Sequence, residues 1–185
     1  ARIVLGRPLV GGAVGGGDSA LEAAARVAGT LDLGSGGRPV RTVLVTSSRA
    51  GEGRTSLAVA LASASARSGQ RTLLVDLDPL RPALHAATGT DVSPGLSNVF
   101  YDGVLVRDAV HATSIPDLYV LPIGNASVDG AWFPPAKDLE ALLVYLGRSF
   151  DRIIADAAPI LESGRVPAAV PLFERVLFAA RAGRT

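Results

Sequence analysis

Five short apolar runs, residues 42–46, 72–76, 118–121, 152–155 and 175–180, alternate along the chain with segments of helical pattern. That alternation restricts the fold more than any other feature, because strand, helix and strand in series pack as right-handed βαβ units around a parallel sheet. The runs are almost continuously apolar, as strands covered by helices on both faces require. Hydrophobic residues make up 48% of the chain, enough for such a core. Helices are expected over residues 20–30, 55–67, 95–99, 104–111 and 137–148. The pattern therefore predicts an α/β domain with a mostly parallel central sheet in three layers. Ligands of such sheets bind at the carboxyl ends of the strands, which directs attention to the loops after Thr46, Val75 and Ala155.

The 185 residues suit one domain, since domains commonly run to roughly 100–200 residues. Gly11, Gly12, Gly15, Gly16 and Gly17 lack the side chains a core needs, so residues 1–18 are read as a flexible tether and 19–185 as the domain. Asp18 or Ser19 caps the first helix, and a second glycine-rich turn follows at 34–37. The chain starts without methionine and stops at Thr185 just after a strand pattern, which reads as a piece of a longer protein, shortened at its carboxyl end. With no cysteine it has neither disulfides nor thiolate metal ligands, and the cytoplasm is the default compartment. A net charge of +1 gives no electrostatic case for nucleic acid. No apolar run approaches the ~20 residues that span a bilayer.

The strand 42–46 leads into Ser47, Ser48, Arg49, Ala50, Gly51, Glu52, Gly53, Arg54, Thr55 and Ser56, and then a helix. A loop of this kind aims backbone N–H groups and the positive end of a helix dipole at one point, which suits a polyphosphate. Thr55 is placed to offer its hydroxyl to Mg²⁺. The usual spacing G-x-x-x-x-G-K-[ST] is met only in part, with Ser48 at the first position and Arg54 in place of lysine. An ordinary glycine-rich turn between strand and helix is the alternative. Two further strands end in carboxylates. Asp76 and Asp78 stand at alternate positions and point to one side of the pleat, where they can bind a hard cation directly or through its water. Asp156 closes the strand 152–155 and is followed by Pro159, the position of a carboxylate that orients a metal or its water. Each strand end read alone is also a solvated turn.

Taken together, these segments resemble the bacterial tyrosine kinases (BY-kinases), relatives of the ParA and MinD partitioning ATPases. Residues 48–55 resemble the family's Walker A. Val75, Asp76, Leu77 and Asp78, with Arg81, Pro82, Ala83, Leu84 and His85, resemble its Walker A′ and arginine-proline tail, and Phe150 to Asp156 with Pro159 resembles Walker B. Gly95-Leu96-Ser97, Leu121-Pro122-Ile123-Gly124 and residues 181–185 look like the family's remaining punctuation. The resemblance implies a P-loop NTPase fold, SIMIBI-type and Rossmann-like. It implies binding of ATP or ADP with Mg²⁺ by Ala50, Gly51, Glu52, Gly53, Arg54, Thr55 and Ser56. Thr55, Asp76, Asp78 and Asp156 would serve the metal, and Arg54, Asp76 and Asp78 the chemistry. It also implies tyrosine autophosphorylation, homo-oligomer rings, and a membrane polysaccharide co-polymerase or the protein's own transmembrane region as partner. That partnership would tether the domain to the inner face of the bacterial membrane, in exopolysaccharide or capsule biosynthesis and its chain-length control.

Three departures qualify the likeness. Arg54 keeps lysine's charge and loses its compact shape, which is not a conservative exchange at a crowded site. Lys137 is the one lysine among the 18 Lys and Arg residues, so compositional bias is one account of Arg54 and impaired chemistry the other. On geometric grounds the sequence favours impaired chemistry with nucleotide binding retained. The tyrosines, Tyr101, Tyr119 and Tyr145, are scattered, and Glu22 is followed by Ala25 and Ala28 where the family's oligomerisation helix carries arginines. The function read from the sequence is a regulatory BY-kinase-like domain with a degenerate site. An active autokinase and a ParA/MinD-type ATPase are the alternatives. His85 is read as structural, His111 as the end of a helix, and Trp132-Phe133-Pro134-Pro135 as an exposed cluster or a cover for the sheet edge.

Overall fold

The computed structural model describes residues 2–5, 12–13, 18–33, 38–125 and 132–180. The described strands are β1 (Arg2–Leu5), β2 (Gly12–Ala13), β3 (Thr42–Ser47), β4 (Thr72–Leu77), β5 (His111–Ala112), β6 (Leu118–Leu121), β7 (Arg152–Ala157) and β8 (Arg175–Ala180). They form one sheet in the order β2-β1-β8-β3-β7-β4-β6-β5. The five anticipated strands, β8, β3, β7, β4 and β6, are its parallel centre, and antiparallel β1 and β5 flank them.

Side chains along each central strand alternate between two apolar clusters, as a pleat of period two demands. Val43 and Val45 of β3 face one cluster with Leu74, Ile154 and Leu177; helices α1 (Asp18–Leu33) and α2 (Arg54–Arg67) cover it through Val27, Leu31, Ala58 and Leu61. Leu44 faces the other with Leu73, Val75 and Ile153, beneath α4 (Leu96–Tyr101) and α6 (Ala136–Leu146). The domain is therefore a three-layer, mostly parallel α/β fold, as the sequence implies. The short helices α3 (Leu84–Thr88), α5 (Val106–Ala109) and α7 (Val166–Ala169) complete the crossovers.

Arg152, 1% exposed, is held at the amino end of the sheet by Val40 O, Ser65 Oγ and the Asp32 carboxylate at 2.7 Å. It ties α1, α2 and β7 together, since a buried guanidinium is tolerated only when paired and hydrogen-bonded.

Several sequence expectations are corrected. Within the segment read as a tether, Arg2–Leu5 pairs with β8 and Gly12–Ala13 with β1. The helix expected over 104–111 is confined to Val106–Ala109, and His111 lies in β5 with its ring on Pro94 O at 2.7 Å. Trp132 and Phe133 are buried, with Trp132 against the rings of Phe100 and Tyr101. Residues 34–37 and 181–185 lie outside the described residues.

The two glycine segments singled out in the sequence meet each other. Leu96 N–H donates to Pro122 O and Ser97 N–H to Ile123 O, both at 2.8 Å. A Cβ on Gly95 would run into the backbone of Pro122 and Gly124. Gly95→Ala should therefore destabilise the domain by about 1–3 kcal/mol, as overpacking against unyielding backbone does. Urea denaturation measures this, and an unchanged midpoint would contradict it.

Candidate functional site

Parallel pairing brings three of the anticipated loops to one end of the sheet. β7 lies between β3 and β4, and the register sets Asp156 beside Val45 on one side and Asp76 on the other. Asp76, Asp78 and Asp156 are each at most 1% exposed. The loop after β3 reaches the same end and turns into α2 through Gly51 and Gly53, whose φ angles of 80° and 86° lie in the left-handed region that favours glycine. Gly53 is the N-cap of α2, no side chain caps that helix, and no acidic residue stands in its first turn. The first N–H groups of the helix are thus left for an anion.

Arg54 does not extend along this loop toward solvent. It is 8% exposed, with its Nη2 donating to Asp78 Oδ2 and its Nε 3.5 Å from Asp156 Oδ1, an ionic contact without hydrogen-bond geometry. The Thr55 hydroxyl donates to Asp156 Oδ2 at 2.6 Å. Asp78 Oδ1 accepts the N–H groups of Leu80 and Arg81, and Asp76 accepts those of Asp78 at 3.0 Å and Leu84 at 3.4 Å. The residues predicted from three separate loops therefore share one buried cluster. Ala50, Gly51 and Ser56 are exposed at its mouth.

Burial disfavours the charged form of each carboxylate, and the bonds each one makes decide how far. Desolvation pushes Asp76 up to about 7, against the pull of the Asp78 N–H and with help from the neighbouring Asp156 charge. Asp156 is raised by burial to about 6, with the Thr55 hydrogen bond and the Arg54 charge opposing.

The donor set fits a magnesium-bound polyphosphate. It consists of hard oxygens and one hydroxyl, and two buried Arg54 nitrogens, Nε and Nη1, and Asp156 Oδ1 have no hydrogen-bond partner. Among the described residues no three His, Asp or Glu side chains form a metal cage by themselves. Thr55, Asp76, Asp78 and Asp156 would serve a cation whose other oxygens come from phosphate and water, the usual habit of Mg²⁺. His85 lies on α3, and Lys137 is exposed on α6 and takes no part in the cluster. Two open cavities, of about 630 and 520 Å³, are lined by residues such as Arg38, Arg41, Gln70 and Glu174 around the amino end of the sheet, away from these carboxylates.

The sequence missed Glu162. Its carboxylate accepts the Ala50 N–H at 2.8 Å and pairs with Arg81 at 2.7 Å. No spacing rule points to a glutamate in the loop after β7.

Residues 40–169 match the AAA domain family. The tyrosine-protein kinase YwqD of Bacillus subtilis is 30% identical over 131 residues, covering 71% of this chain and 55% of YwqD, so the chain spans about half the length of the curated relatives it matches. The VpsO kinase domain superposes with a TM-score of 0.75 at 25% identity, covering 90% of this chain and 82% of that one. The septum site-determining protein MinD from Pyrococcus horikoshii, complexed with Mg-ADP, gives 0.61 at 26% identity over 72% and 55%.

A carboxylate raised from 3.8 to about 7 makes the folded state bind a proton that the unfolded chain releases. The stability this contributes is complete below pH 3.8 and is lost as the pH rises through about 7. Asp76→Asn should therefore stabilise the metal-free protein at pH 8 by on the order of 2 kcal/mol, or roughly 5 °C, and change little at pH 5. Thermal denaturation of both proteins at both values measures the difference; equal shifts would refute it.

Proposed function

The chain belongs to the AAA domain family, as a BY-kinase-like domain of the P-loop superfamily, and from that membership we propose that it regulates polysaccharide biosynthesis rather than working as an efficient tyrosine kinase. The proposed setting is the inner face of the bacterial membrane, in exopolysaccharide or capsular polysaccharide biosynthesis and its chain-length control. A membrane polysaccharide co-polymerase, or a transmembrane region of the same protein, is its proposed partner, with self-association as a further contact. Among the described residues no helix is long and apolar enough to cross a membrane.

One observation carries the impaired chemistry. Arg54 is bound to Asp78 and in ionic contact with Asp156, so it holds the carboxylates that a kinase needs for metal and proton. When bound, ATP with Mg²⁺ supplies the phosphoryl group for transfer. The amides of Ala50, Gly51, Glu52, Gly53, Arg54, Thr55 and Ser56 would hold its phosphates, and Thr55 with Asp156 its metal. Asp76, near neutrality, is suited to accept a proton from a hydroxyl at physiological pH. Asp78 must first surrender its guanidinium. A planar fork that already spans two carboxylates must also reorganise before it can neutralise phosphate, whereas preorganised charge is what accelerates such transfers.

Calorimetric titration with ADP and ATP plus Mg²⁺, on this protein and on Arg54→Lys, tests the proposal alongside phosphate release. Weak binding is expected for the unmodified protein and tighter binding for the lysine variant, with turnover about a hundredfold faster. Tight binding and substantial turnover by the unmodified protein, lost on Asp76→Asn, would establish an active autokinase instead. Nucleotide-dependent dimers would favour a MinD-type cycle.

A further inference from the structure

Glu162 stands apart from the proposed chemistry, yet it touches each loop of the site. It lies between β7 and α7, and its two carboxylate oxygens have separate partners. Oε1 accepts the Ala50 N–H at 2.8 Å, and Oε2 accepts a hydrogen bond from Arg81 Nη1 at 2.7 Å. Ala50 belongs to the loop after β3 and Arg81 to the turn after β4, so one side chain joins the three strand ends. Ile160 N–H, two residues earlier, donates to Ser47 O at 2.8 Å and holds the Glu162 loop against the base of the phosphate loop. The Ala50 N–H, followed by Arg81, keeps the Glu162 carboxyl below its ordinary range, so it is an anion at neutral pH. Glu52 caps the Arg49 N–H and the Ser48 hydroxyl in a similar way, but from within the loop itself.

We propose that Glu162 is a displaceable carboxylate latch on the phosphate loop, occupying the Ala50 N–H and the Arg81 guanidinium until a polyphosphate replaces it on both. The proposal rests on reading that loop as a nucleotide site and adds a residue that governs its filling. The reason is competition between anions for one set of donors. A phosphoryl oxygen that takes the Ala50 N–H meets like charge from Glu162, so only the unlatched fraction accepts ligand and the apparent affinity falls by that fraction. Unlatching frees Arg81, a cation three residues beyond Asp78, at the moment negative charge arrives. The latch also couples occupancy of the loop to the segment that leads into α7.

Two measurements test this together. Titration of the unmodified protein and of Glu162→Gln with inorganic pyrophosphate and with ADP should show about fivefold tighter binding by the variant, the scale set by an exposed ion pair. In the ligand-free protein, the Ala50 amide resonance should follow a carboxyl titration below the ordinary glutamate range. That titration should vanish in Glu162→Gln and on addition of pyrophosphate. Matching melting curves would show that the variant folds. Equal affinities, with binding demonstrated for both proteins, would overturn the latch and leave the nucleotide site standing. An Ala50 amide blind to pH would overturn it as well. Binding by neither protein would overturn the latch and the nucleotide reading at once.

Discussion

Three carboxylates and one guanidinium share a space from which water is nearly excluded, and the chemistry open to this domain follows from how that charge is balanced. Asp76, Asp78 and Asp156 arrive from two neighbouring strands, and burial raises the proton affinity of Asp76 and Asp156 well above that of a solvated aspartate. A cation lowers the free energy of such a cluster, because charges in a desolvated site interact far more strongly than in water. Arg54 is that cation among the described residues. It anchors the start of α2 against the ends of β4 and β7.

Arginine at position 54 makes more than one contact here. A lysine ammonium is a compact, strongly hydrated point charge. Guanidinium is a flat fork with five donors, able to hold two carboxylates at once, and Arg54 does so through Nη2 on Asp78 and an ionic contact of Nε with Asp156, while Nη1 has no hydrogen-bond partner. On the solvent side, Glu162 and Glu52 lay carboxylates on amides of the same loop. Within the site the guanidinium lies on Asp78 and Asp156, and two loop amides lie on the carboxylates of Glu52 and Glu162.

Much of this was legible in the chain. Apolar strands that stop at Thr46, Asp76 and Asp156 mark the carboxyl edge of a parallel sheet, because an uninterrupted apolar run ending in a carboxylate has few other uses in an α/β protein. Gly51 and Gly53 marked the left-handed turn into α2. Other features were not legible, for reasons that differ from case to case. Trp132 and Phe133, followed by two prolines, read equally as an exposed cluster or a cover for the sheet edge, and both are buried, Trp132 by long-range packing against Phe100 and Tyr101. His111 carries no signal that its segment pairs with β6 instead of continuing a helix. Strand β1 lies beside a glycine-rich stretch with weak intrinsic preference, and pairing with β8 makes it a strand.

The sequence by itself determined the class of fold, the order of its five central strands and which loops carry the glycine and acidic residues, because these depend on local periodicity and on residue chemistry within a few positions. Only the tertiary structure decided that β7 inserts between β3 and β4, that Arg54 turns inward onto Asp78 and Asp156, and that Glu162 reaches Ala50. Those contacts join residues 24 to 112 positions apart. No local pattern encodes them, since they exist only once the sheet has brought its strand ends together and removed the water between them.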